Sequence, residues 1–386
     1  MVRKLVAHSV YSWLPVTQNW IYTQLRRNRS FDHAVISMTA EGEEQFPVDA
    51  RHTAFGKSAA DRIGLFMARY WIRQPSSFYR RLIPKLAPAI IHGHFSTESW
   101  RILPYARHAG IPLVTTFYGL DVDKLPRRRY WKKRYKELFA YGSRFMVEGP
   151  YMGGRLEAAG CPADKIRIVA LGIDRTMYRS TSRPAVPGTD DPVRVLFAGL
   201  SREKKGPFDA AAVFIAAARE EPRLELHLVG DGRYRRQVQR MLHRAGMPHR
   251  AVFHGMIPFD RYRALLSECD ILLAPSRHAD DGDCEGGAPV VCIEAQAAGI
   301  PVVGTRHCDI PFVVEHGKTG LLAGEGDRTA LCGHLLELAR NRELRLALGG
   351  QGKKHIALQH DGAAQVGKIA AIYNEVLNAA DGKAGI

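Results

Sequence analysis

The sequence lacks any apolar run long enough to cross a bilayer, which would take about 20 predominantly apolar residues. It also lacks a secretory pattern near its start, because Lys4–Val10 is too short and too polar for a signal core and is typical of a first strand. These two absences argue against an exported or membrane-spanning protein. We therefore expect a cytoplasmic protein.

Cysteine is scarce, with six residues in a chain of 386. The cysteines form no CxxC pair and show no pairing with histidine at metal-ligand spacing, and most of them lie in apolar segments. This pattern predicts reduced thiols in the core. The six are Cys161, Cys269, Cys284, Cys292, Cys308 and Cys332.

Acidic residues are outnumbered, with 39 Asp and Glu against 55 Lys and Arg, giving a net charge of +16. Residues 1–175 carry 28 basic and 14 acidic residues, and so hold +14 of this charge. An acidic partner is therefore expected to meet the first half of the chain. The hydrophobic fraction of 46% and the length are those of a globular protein with two domains.

Two series of strand-like runs alternate with helix-length segments, which is typical of parallel sheets covered by helices on both faces. The first series is Leu5–Val10, Ala34–Met38, Ile90–Phe95, Pro112–Tyr118, Arg144–Val147 and Ile166–Leu171. The second series is Val193–Gly199, Leu224–Gly230, Ala251–His254, Ile271–Ala274, Pro301–Gly304 and Gly320–Ala323.

The predicted fold class is therefore α/β, with two doubly wound, Rossmann-like domains. The first covers residues 1–180, and a linker rich in Pro, Ser, Thr and Asp follows at residues 181–192. The second covers residues 193–365, and a helix at residues 366–386 is expected to pack back on the first domain. Ligands of such sheets bind beyond the carboxyl ends of the strands, so two facing sheets would share a cleft.

The most informative stretch is Glu285–Thr305. Its middle, Val290–Ala298, is predicted to be a buried helix, with Pro289 at its first position and Gly299 in a left-handed turn at its end. Glu294 is the only charge on this helix, and a buried carboxylate is costly unless it accepts hydrogen bonds.

Glu285, Gly286 and Gly287 precede this helix and offer a carboxylate and a bare backbone beside the amides of its N-terminus, which favour an anion. This combination suits a ligand with hydroxyls at both ends and phosphate between, as in a nucleotide sugar. An ordinary αβ unit with a Gly-rich turn and an ion-paired glutamate is the alternative.

These residues resemble the family-4 retaining glycosyltransferases of the GT-B fold, and in particular those that assemble bacterial polysaccharides. The most specific segment is the two-glutamate motif EGGAPVVCIEAQAAGIPVV, which has eight residues between the glutamates where the family normally has seven. Four further segments stand in the family's order, namely VLFAGLSREKKG, LHLVGDG, VFHG and ILLAPSR.

The resemblance implies a role for each matching residue of the second domain. Lys205 and Arg202 would stabilise the departing diphosphate, with Arg202 replacing an arginine that relatives place directly after the strand glycine. Glu285 would hold the donor sugar, the amides of Gly286, Gly287 and Ala288 would lie near sugar and phosphate, and Glu294 would bind the ribose. Gly230, Asp231 and Gly232 would let the base approach the backbone.

In the first domain, His94, Tyr118 and Asp121 would lie on loops that face the acceptor. Tyr118 stands where many relatives have histidine, so a contact that requires histidine is not available. The Asp281–Asp283 pair imitates a metal-binding DxD, but relatives need no catalytic metal. We therefore expect no cofactor and no metal, and a solvated acidic loop at residues 280–283.

The densest charge run is Lys124–Lys136, in which Tyr130, Trp131 and Tyr135 alternate with basic residues. On a helix this run would form a basic surface with aromatic anchors, which is typical of binding to an anionic membrane. Nucleic acid would also suit the charge, and a plain solvated face is a further alternative.

The resemblance implies transfer of a hexose from a UDP- or GDP-type sugar to a lipid-linked saccharide acceptor, with retention, in exopolysaccharide, capsule or lipopolysaccharide synthesis. The enzyme would lie on the inner face of the plasma membrane without binding nucleic acid. Two alternatives stay open, a GT-B sugar-nucleotide epimerase and a basic nucleic-acid-binding protein.

Overall fold

A computed structural model describes residues 3–13, 19–41, 44, 46–56, 58–67, 76–178 and 191–384. The chain forms two compact units, the first made of Met1–Gly172 with Gly362–Ile386 and the second of Ile173–Asp361. Of the predicted linker at residues 181–192, all but the last two residues lie outside the described part. Among the described residues, no helix is both long and apolar enough to span a membrane.

The first unit contains a seven-stranded sheet in which every strand pair is parallel. The six strands predicted for this half are confirmed, and the three-residue strand β3 is an addition. The spatial order is β3-β2-β1-β4-β5-β6-β7. The strands are β1 (Leu5–Trp13), β2 (Asp32–Ala40), β3 (Arg51–Thr53), β4 (Ile90–His94), β5 (Leu113–Thr116), β6 (Arg144–Val147) and β7 (Ile166–Ile168).

Helices cover this sheet, and the C-terminal helix Gly362–Ala384 belongs to the same unit. Its predicted apolar face is confirmed, because Ile369, Ile372, Tyr373 and Val376 are all buried in one cluster with strand residues. The Tyr373 hydroxyl lies 2.7 Å from Nδ1 of His92 on β4. The other helices are α1 (Asn19–Arg27), α2 (Ala59–Met67), α3 (Ser76–Leu86), α4 (Ser96–His108), α5 (Leu120–Asp123), α6 (Arg129–Tyr141) and α7 (Pro150–Ala158).

Helix α6 carries much of the basic run, but the prediction of aromatic anchors on its surface is wrong for two of the three residues. Trp131 and Tyr135 are 5% and 1% exposed and belong to the core, whereas Tyr130 is 50% exposed. The aromatic side chains at positions 131 and 135 are one helical turn apart, so both face the sheet. The exposed face of the run is therefore basic, with Tyr130 as its one exposed aromatic side chain.

The second unit contains a six-stranded parallel sheet, and all six predicted strands are confirmed. The strands are β8 (Val193–Ala198), β9 (Leu224–Val229), β10 (Ala251–Gly255), β11 (Ile271–Ala274), β12 (Val302–Thr305) and β13 (Gly320–Ala323). Their order is β10-β9-β8-β11-β12-β13, so the direction of winding reverses between β8 and β11. The carboxyl ends of strands at such a reversal form the ligand site of doubly wound sheets.

The helices of the second unit are α8 (Pro207–Glu220), α9 (Arg235–Arg244), α10 (Phe259–Glu268), α11 (Val290–Ala298), α12 (Ile310–Val313), α13 (Arg328–Arg340) and α14 (Arg342–Gln359). The predicted bounds of α11 are confirmed, as is the left-handed Gly299 at its end, with a φ of 82°. Pro289 is the N-cap rather than the first helical residue, because its ψ of 132° keeps it outside the helix.

Helix α14 packs against the end of α11 through a glycine. A Cβ added at Gly349 would lie 2.0 Å from the carbonyl oxygen of Gly299, so no side chain fits at this crossing. A Cβ at the next residue, Gly350, would meet no atom within 4 Å. The two neighbouring glycines of one helix therefore differ only in what surrounds them.

Gly349→Ala should destabilise the second unit by roughly 1–3 kcal/mol, because the added methyl group overpacks the crossing. Gly350→Ala should instead stabilise it by roughly 0.5–1 kcal/mol, the ordinary gain of alanine over glycine in a helix. Urea unfolding of both variants measures the difference. Equal effects of the two substitutions would show that α14 does not approach Gly299 as described.

Candidate active site

The loop after β8 is folded so that Lys205 lies at the carboxyl end of the central strands. Residues Glu203–Lys205 form a 3-10 turn, and Gly206 ends it with a φ of 65°. A Cβ at Gly206 would lie 2.0 Å from the carbonyl oxygen of Pro275, so only glycine lets this turn approach the end of β11. The backbone thus brings the loops after β8 and β11 together at the reversal point of the sheet.

Lys205 forms a largely buried ion pair with Glu285. Its Nζ lies 3.0 Å from Oε1 of Glu285, to which the Ser276 hydroxyl also donates at 3.0 Å. Burial alone would raise the pKa of Glu285, but the charges of Lys205 and Lys204 outweigh it and the net pKa lies below the usual value. Glu285 is therefore ionised at pH 7, where it can accept hydrogen bonds but cannot supply a proton.

Lys204 holds the backbone that leads to Glu285. Its Nζ donates to the carbonyl oxygen of Cys284 at 2.8 Å and lies 3.2 Å from the Asp283 carboxylate. The prediction of a solvated loop at residues 280–283 is therefore wrong for Asp283, whose side chain is only 19% exposed. The ammonium group of Lys204 stabilises the partly buried carboxylate of Asp283, which the sequence had predicted to be exposed to solvent.

His307 holds the same segment from the other side, and no motif in the sequence marks this histidine. The backbone N–H of Glu285 donates to Nε2 of His307 at 3.1 Å, and Nδ1 of His307 lies 2.6 Å from the Glu325 carboxylate. Burial alone would lower the pKa of His307, but its contacts with Cys308 and Glu325 outweigh this effect and raise the pKa. Glu285 is fixed through its main chain as well as its side chain.

Glu294 is held by two tyrosines. The hydroxyls of Tyr178 and Tyr262 each donate to a different carboxylate oxygen, both at 2.7 Å. Burial raises the pKa of Glu294, although the two hydrogen bonds oppose this. Each oxygen keeps a second lone pair, so the carboxylate can still accept from a ligand. No periodicity or motif marks Tyr178 or Tyr262, whereas Ser276 could have been found because it follows β11 closely.

The predicted Gly230–Gly232 turn packs directly on the loop after β8. A Cβ at Gly230, whose φ is 111°, would lie 2.1 Å from the carbonyl oxygen of Gly199. The Ser201 N–H donates to the carbonyl oxygen of Asp231 at 2.9 Å. Asp231 and Gly232 are exposed. The turn therefore leaves a bare stretch of backbone at the same edge of the sheet as Lys205.

The remaining predicted residues of the second unit lie around this edge. Gly286 and Gly287 are buried and Ala288 is half-buried, directly before the N-cap of α11. Arg202 is exposed, and its guanidinium forms no ion pair with the part of the chain that the structure describes. The structure thus brings Lys205 and Glu285 together and leaves Arg202 available to a ligand.

These features together can bind an anion beside hydroxyl groups. The N-terminal amides of α11, which have no side-chain cap, and the Lys205 ammonium favour phosphate, since both place positive charge near a bare backbone. The ionised Glu285 can accept hydrogen bonds from hydroxyls. The arrangement therefore suits a phosphate ester of a polyol, as the sequence predicted for this segment.

His94, Tyr118 and Asp121 lie together in the first unit. The Asp121 carboxylate accepts from the backbone N–H groups of Ser96 and Tyr118, both at 2.8 Å. Burial raises the pKa of Asp121 to about 6. Asp121 is buried and thus orders two loops at the carboxyl ends of β4 and β5, while Tyr118 stays half-buried.

Tyr118 ends a chain of imidazoles that the sequence did not reveal. Burial lowers the pKa of His8, of His33 and of His94, the last to about 3, so all three rings are neutral. The Asn28 carbonyl fixes the donor order, because it can only accept from Nε2–H of His33, at 2.7 Å. His33 then accepts from His8, His8 from His94, and His94 from the Tyr118 hydroxyl, at 3.0, 3.1 and 2.9 Å. The Tyr118 oxygen can therefore only accept from a ligand.

Two family models match the chain, one for each unit. Residues 19–176 match the model described as Glycosyltransferase Family 4, and residues 192–341 match the model described as Glycosyl transferases group 1. The crystal structure of Anabaena HepE in complex with UDP and glucose superposes with a TM-score of 0.75 at 15% identity, covering 96% of this chain and 100% of that one. Two Rossmann-like units with this likeness define a GT-B glycosyltransferase fold.

The two models together match most of the chain, which therefore belongs to the glycosyltransferases. It is 33% identical over 227 residues to the amylovoran biosynthesis glycosyltransferase AmsK of Erwinia amylovora, covering 59% of this chain and 55% of that one. It is 32% identical over 230 residues to the glycosyltransferase WcaL of Salmonella typhimurium, whose name refers to colanic acid biosynthesis, with coverage of 59% and 55%. The matched segment thus spans little more than half the length of these relatives.

Tyr178→Phe should lower the free energy of unfolding by roughly 1.5–3 kcal/mol at about pH 8, because it removes a hydrogen bond to a charged group. The hydrogen bond from Tyr178 favours the ionised form of Glu294, and the raised pKa of Glu294 sets the pH range over which the effect changes. The loss should be full above this pKa and should shrink as the pH falls through it, since the protonated carboxyl group needs the donor less. Urea unfolding at a series of pH values measures it.

Tyr234→Phe is the matched control, since this half-buried tyrosine packs on Phe208 and its hydroxyl has no hydrogen-bond partner within the described ranges. Its effect should be small and independent of pH. A pH-independent loss in Tyr178→Phe would contradict a charged Glu294 that relies on this hydroxyl.

Proposed function

We propose that this chain is a retaining glycosyltransferase that moves a hexose from a nucleotide-diphosphate sugar to a saccharide acceptor in polysaccharide assembly. The observation that carries the proposal is the buried Lys205–Glu285 pair at the reversal point of the second sheet. The names of AmsK and WcaL, which refer to exopolysaccharides, support the polysaccharide role. The UDP and glucose bound by HepE support a nucleotide-sugar donor.

Lys205 would bind the donor diphosphate and stabilise the charge that develops when it leaves. Preorganised positive groups in a partly buried site stabilise a departing anion more than water does. The amides at the start of α11 would contribute to the same diphosphate-binding site. The exposed Arg202 would close on the diphosphate once the donor is bound, and the reaction would need no metal ion or other cofactor.

Glu285 would accept hydrogen bonds from the hydroxyls of the donor sugar. Since it is ionised and paired with Lys205, it is unsuited to donate a proton. We infer that the bond from the sugar C1 to the diphosphate breaks while the acceptor oxygen bonds to C1 on the same face. The acceptor proton then passes to the leaving phosphate oxygen, which requires no side-chain base.

Glu294 would accept from the ribose hydroxyls through the lone pairs that Tyr178 and Tyr262 leave. The base would lie against the bare backbone at Gly230–Gly232, with the amides of Gly286, Gly287 and Ala288 near sugar and phosphate. In the first unit, Tyr118 would accept a hydrogen bond from the acceptor, with His94 and Asp121 holding it in place. UDP- and GDP-type donors both fit these contacts.

The acceptor would be a lipid-linked saccharide at the inner face of the plasma membrane, to which the protein would bind as a peripheral, cytoplasmic enzyme. Support comes from charge, because Arg127, Arg128, Lys132 and Lys133 are all exposed at or beside α6. Each basic residue near an anionic leaflet contributes about 1 kcal/mol of attraction. We expect no role for nucleic acid, since charge alone would leave Lys205, Glu285 and Glu294 without a function.

The donor can be identified by thermal-shift screening against UDP, GDP and their sugars, after which two variants test the pair. Lys205→Ala should lower turnover roughly 10²–10³-fold, because it removes stabilisation of the leaving diphosphate. Glu285→Gln should also lower turnover but leave the affinity for the bare nucleotide unchanged, since its proposed partner is the sugar. Calorimetric titration and nucleotide release measure the two effects.

Lys318→Ala is the control, because Lys318 is also ion-paired, with Glu315 at 3.1 Å, but is 75% exposed. It should leave turnover unchanged. Circular dichroism must show that Lys205→Ala still folds, since the variant leaves Glu285 buried without its partner. Near-normal turnover in folded Lys205→Ala would refute the proposed role of the lysine.

The membrane proposal predicts that the protein sediments with vesicles containing phosphatidylglycerol and is released by salt, which screens such attraction over about 8 Å at physiological ionic strength. Changing the four basic residues at positions 127, 128, 132 and 133 to Glu should abolish sedimentation. Turnover on a soluble acceptor should survive, because none of the four belongs to the proposed site.

A variant of equal charge serves as the control. Arg233, Arg236, Arg240 and Arg244 are exposed in or beside α9 of the second unit, and changing them to Glu alters the net charge by the same amount. This variant should still sediment. Equal loss in both variants would show that net charge, rather than the surface at α6, attracts the membrane.

A further inference from the structure

Two cysteines and a histidine of the second unit converge beside Glu285, although their spacing in the sequence matches no metal motif. Cys284 and Cys308 and one ring nitrogen of His278 offer ligand atoms that all lie within 4.8 Å of one another. Cys284 is 1% exposed, whereas Cys308 and His278 are half-buried. The three side chains therefore range from fully buried to half-buried.

The spacing is suited to a tetrahedral ion. Zn²⁺ binds sulfur at about 2.3 Å and imidazole nitrogen at about 2.0–2.1 Å, which places tetrahedral ligand atoms roughly 3.4–3.8 Å apart. Three ligand atoms within 4.8 Å therefore need only small shifts to bind one ion. A water molecule could complete the tetrahedron.

The surroundings of His278 are those of a histidine that binds metal. Its Nδ1 lies 3.0 and 3.1 Å from the two oxygens of Glu325. A carboxylate at one ring nitrogen orients the imidazole and makes the other nitrogen a better ligand, and such support is usual for histidines that bind metal. Glu325 also contacts His307 at 2.6 Å, so the carboxylate is held in place.

The backbone of Cys308 is an independent observation. Its φ of 48° lies in the left-handed region, where residues other than glycine are uncommon. Such strain persists where the surroundings fix a side chain, and it is often found at functional sites. Here Cys308 follows β12 by three residues, and its sulfur lies 3.2 Å from Nε2 of His307.

We propose that Cys284, Cys308 and His278 form a binding site for a borderline-soft divalent cation such as Zn²⁺. Sulfur and nitrogen ligands select such ions over Mg²⁺ and Ca²⁺, which prefer oxygen. Both sulfurs bind the ion as thiolates, so each thiol that is still protonated must release its proton, and the two negative charges balance the ion. Affinity should therefore rise with pH.

The proposed cation site is connected through the main chain to Glu285, which is proposed to bind the donor sugar. Cys284 directly precedes Glu285, and its carbonyl oxygen accepts from Lys204. An ion bound to Cys284 would fix this segment and shift Glu285 relative to Lys205. Zn²⁺ should therefore inhibit transfer and EDTA should reverse the inhibition, a consequence that rests on the proposed function, whereas the site itself does not.

Titration of the reduced full chain with Co²⁺ tests the site without any assay of transfer. We expect one equivalent to produce the visible bands of tetrahedral cobalt and a thiolate-to-cobalt charge-transfer band. One equivalent of Zn²⁺ should abolish both, whereas excess Mg²⁺ should not. Cys284→Ser, Cys308→Gly and His278→Gln should each weaken Co²⁺ binding at least tenfold, and glycine at position 308 suits the left-handed backbone and so protects the fold.

Cys332→Ser is the matched control, because Cys332 is a half-buried thiol on α13, outside the cluster. It should bind Co²⁺ as the unchanged protein does. The proposal is overturned if folded protein shows no tetrahedral cobalt spectrum, if the spectrum survives in a Cys284→Ser/Cys308→Gly double variant, or if Cys332→Ser loses it equally.

Discussion

The ion pair between Lys205 and Glu285 is the interaction on which the arrangement of the second unit's ligand-facing edge depends. Two opposite charges in a largely buried place are costly to separate, because removing either partner leaves the other without compensation. The pair joins the loop after β8 to the segment before α11. Both loops must therefore be formed before the edge of the sheet has its final shape, and the nearby contacts of Lys204, Ser276 and His307 all act on the same two segments.

Family membership gives this pair its chemical meaning. In isolation, a lysine bonded to a buried glutamate is as compatible with stability as with ligand binding. The N-terminal amides of α11 and the Lys205 ammonium point toward a phosphate ligand, since both place positive charge at this edge of the sheet. The match of both units to glycosyltransferase models supports the proposal that this ligand is a nucleotide sugar.

Much of this fold could be predicted from the sequence, because parallel strands that are buried on both faces consist of short continuous apolar runs. All twelve predicted strands formed, and so did α11 with its left-handed glycine. Strand β3 lies at the edge of its sheet and consists of three polar residues, so it lacks such a run. The burial of Trp131 and Tyr135 could not be predicted from the charge run, because the basic residues around them obscured which face meets the sheet.

The partners of the site residues were harder to predict, since they come from distant parts of the chain. Tyr178 lies 116 residues before Glu294, and His8 lies 86 residues before His94. A carboxylate on an apolar helix predicts that hydrogen-bond donors lie nearby, but the sequence does not indicate which residues supply them. The hydrogen-bonded chain of imidazoles could not be predicted either. Its histidines lie in separate strands, and no local sequence pattern distinguishes them from ordinary buried histidines.

The return of the C-terminal helix to the first unit has a consequence for how the protein is made. The apolar surface of Val6, Ile90 and Met146 is completed by Ile369 and Tyr373, which the ribosome adds only after the whole second unit. The second unit is continuous and can fold as soon as it emerges. The first unit must wait with part of its core open to water, so during synthesis the half that begins first finishes last.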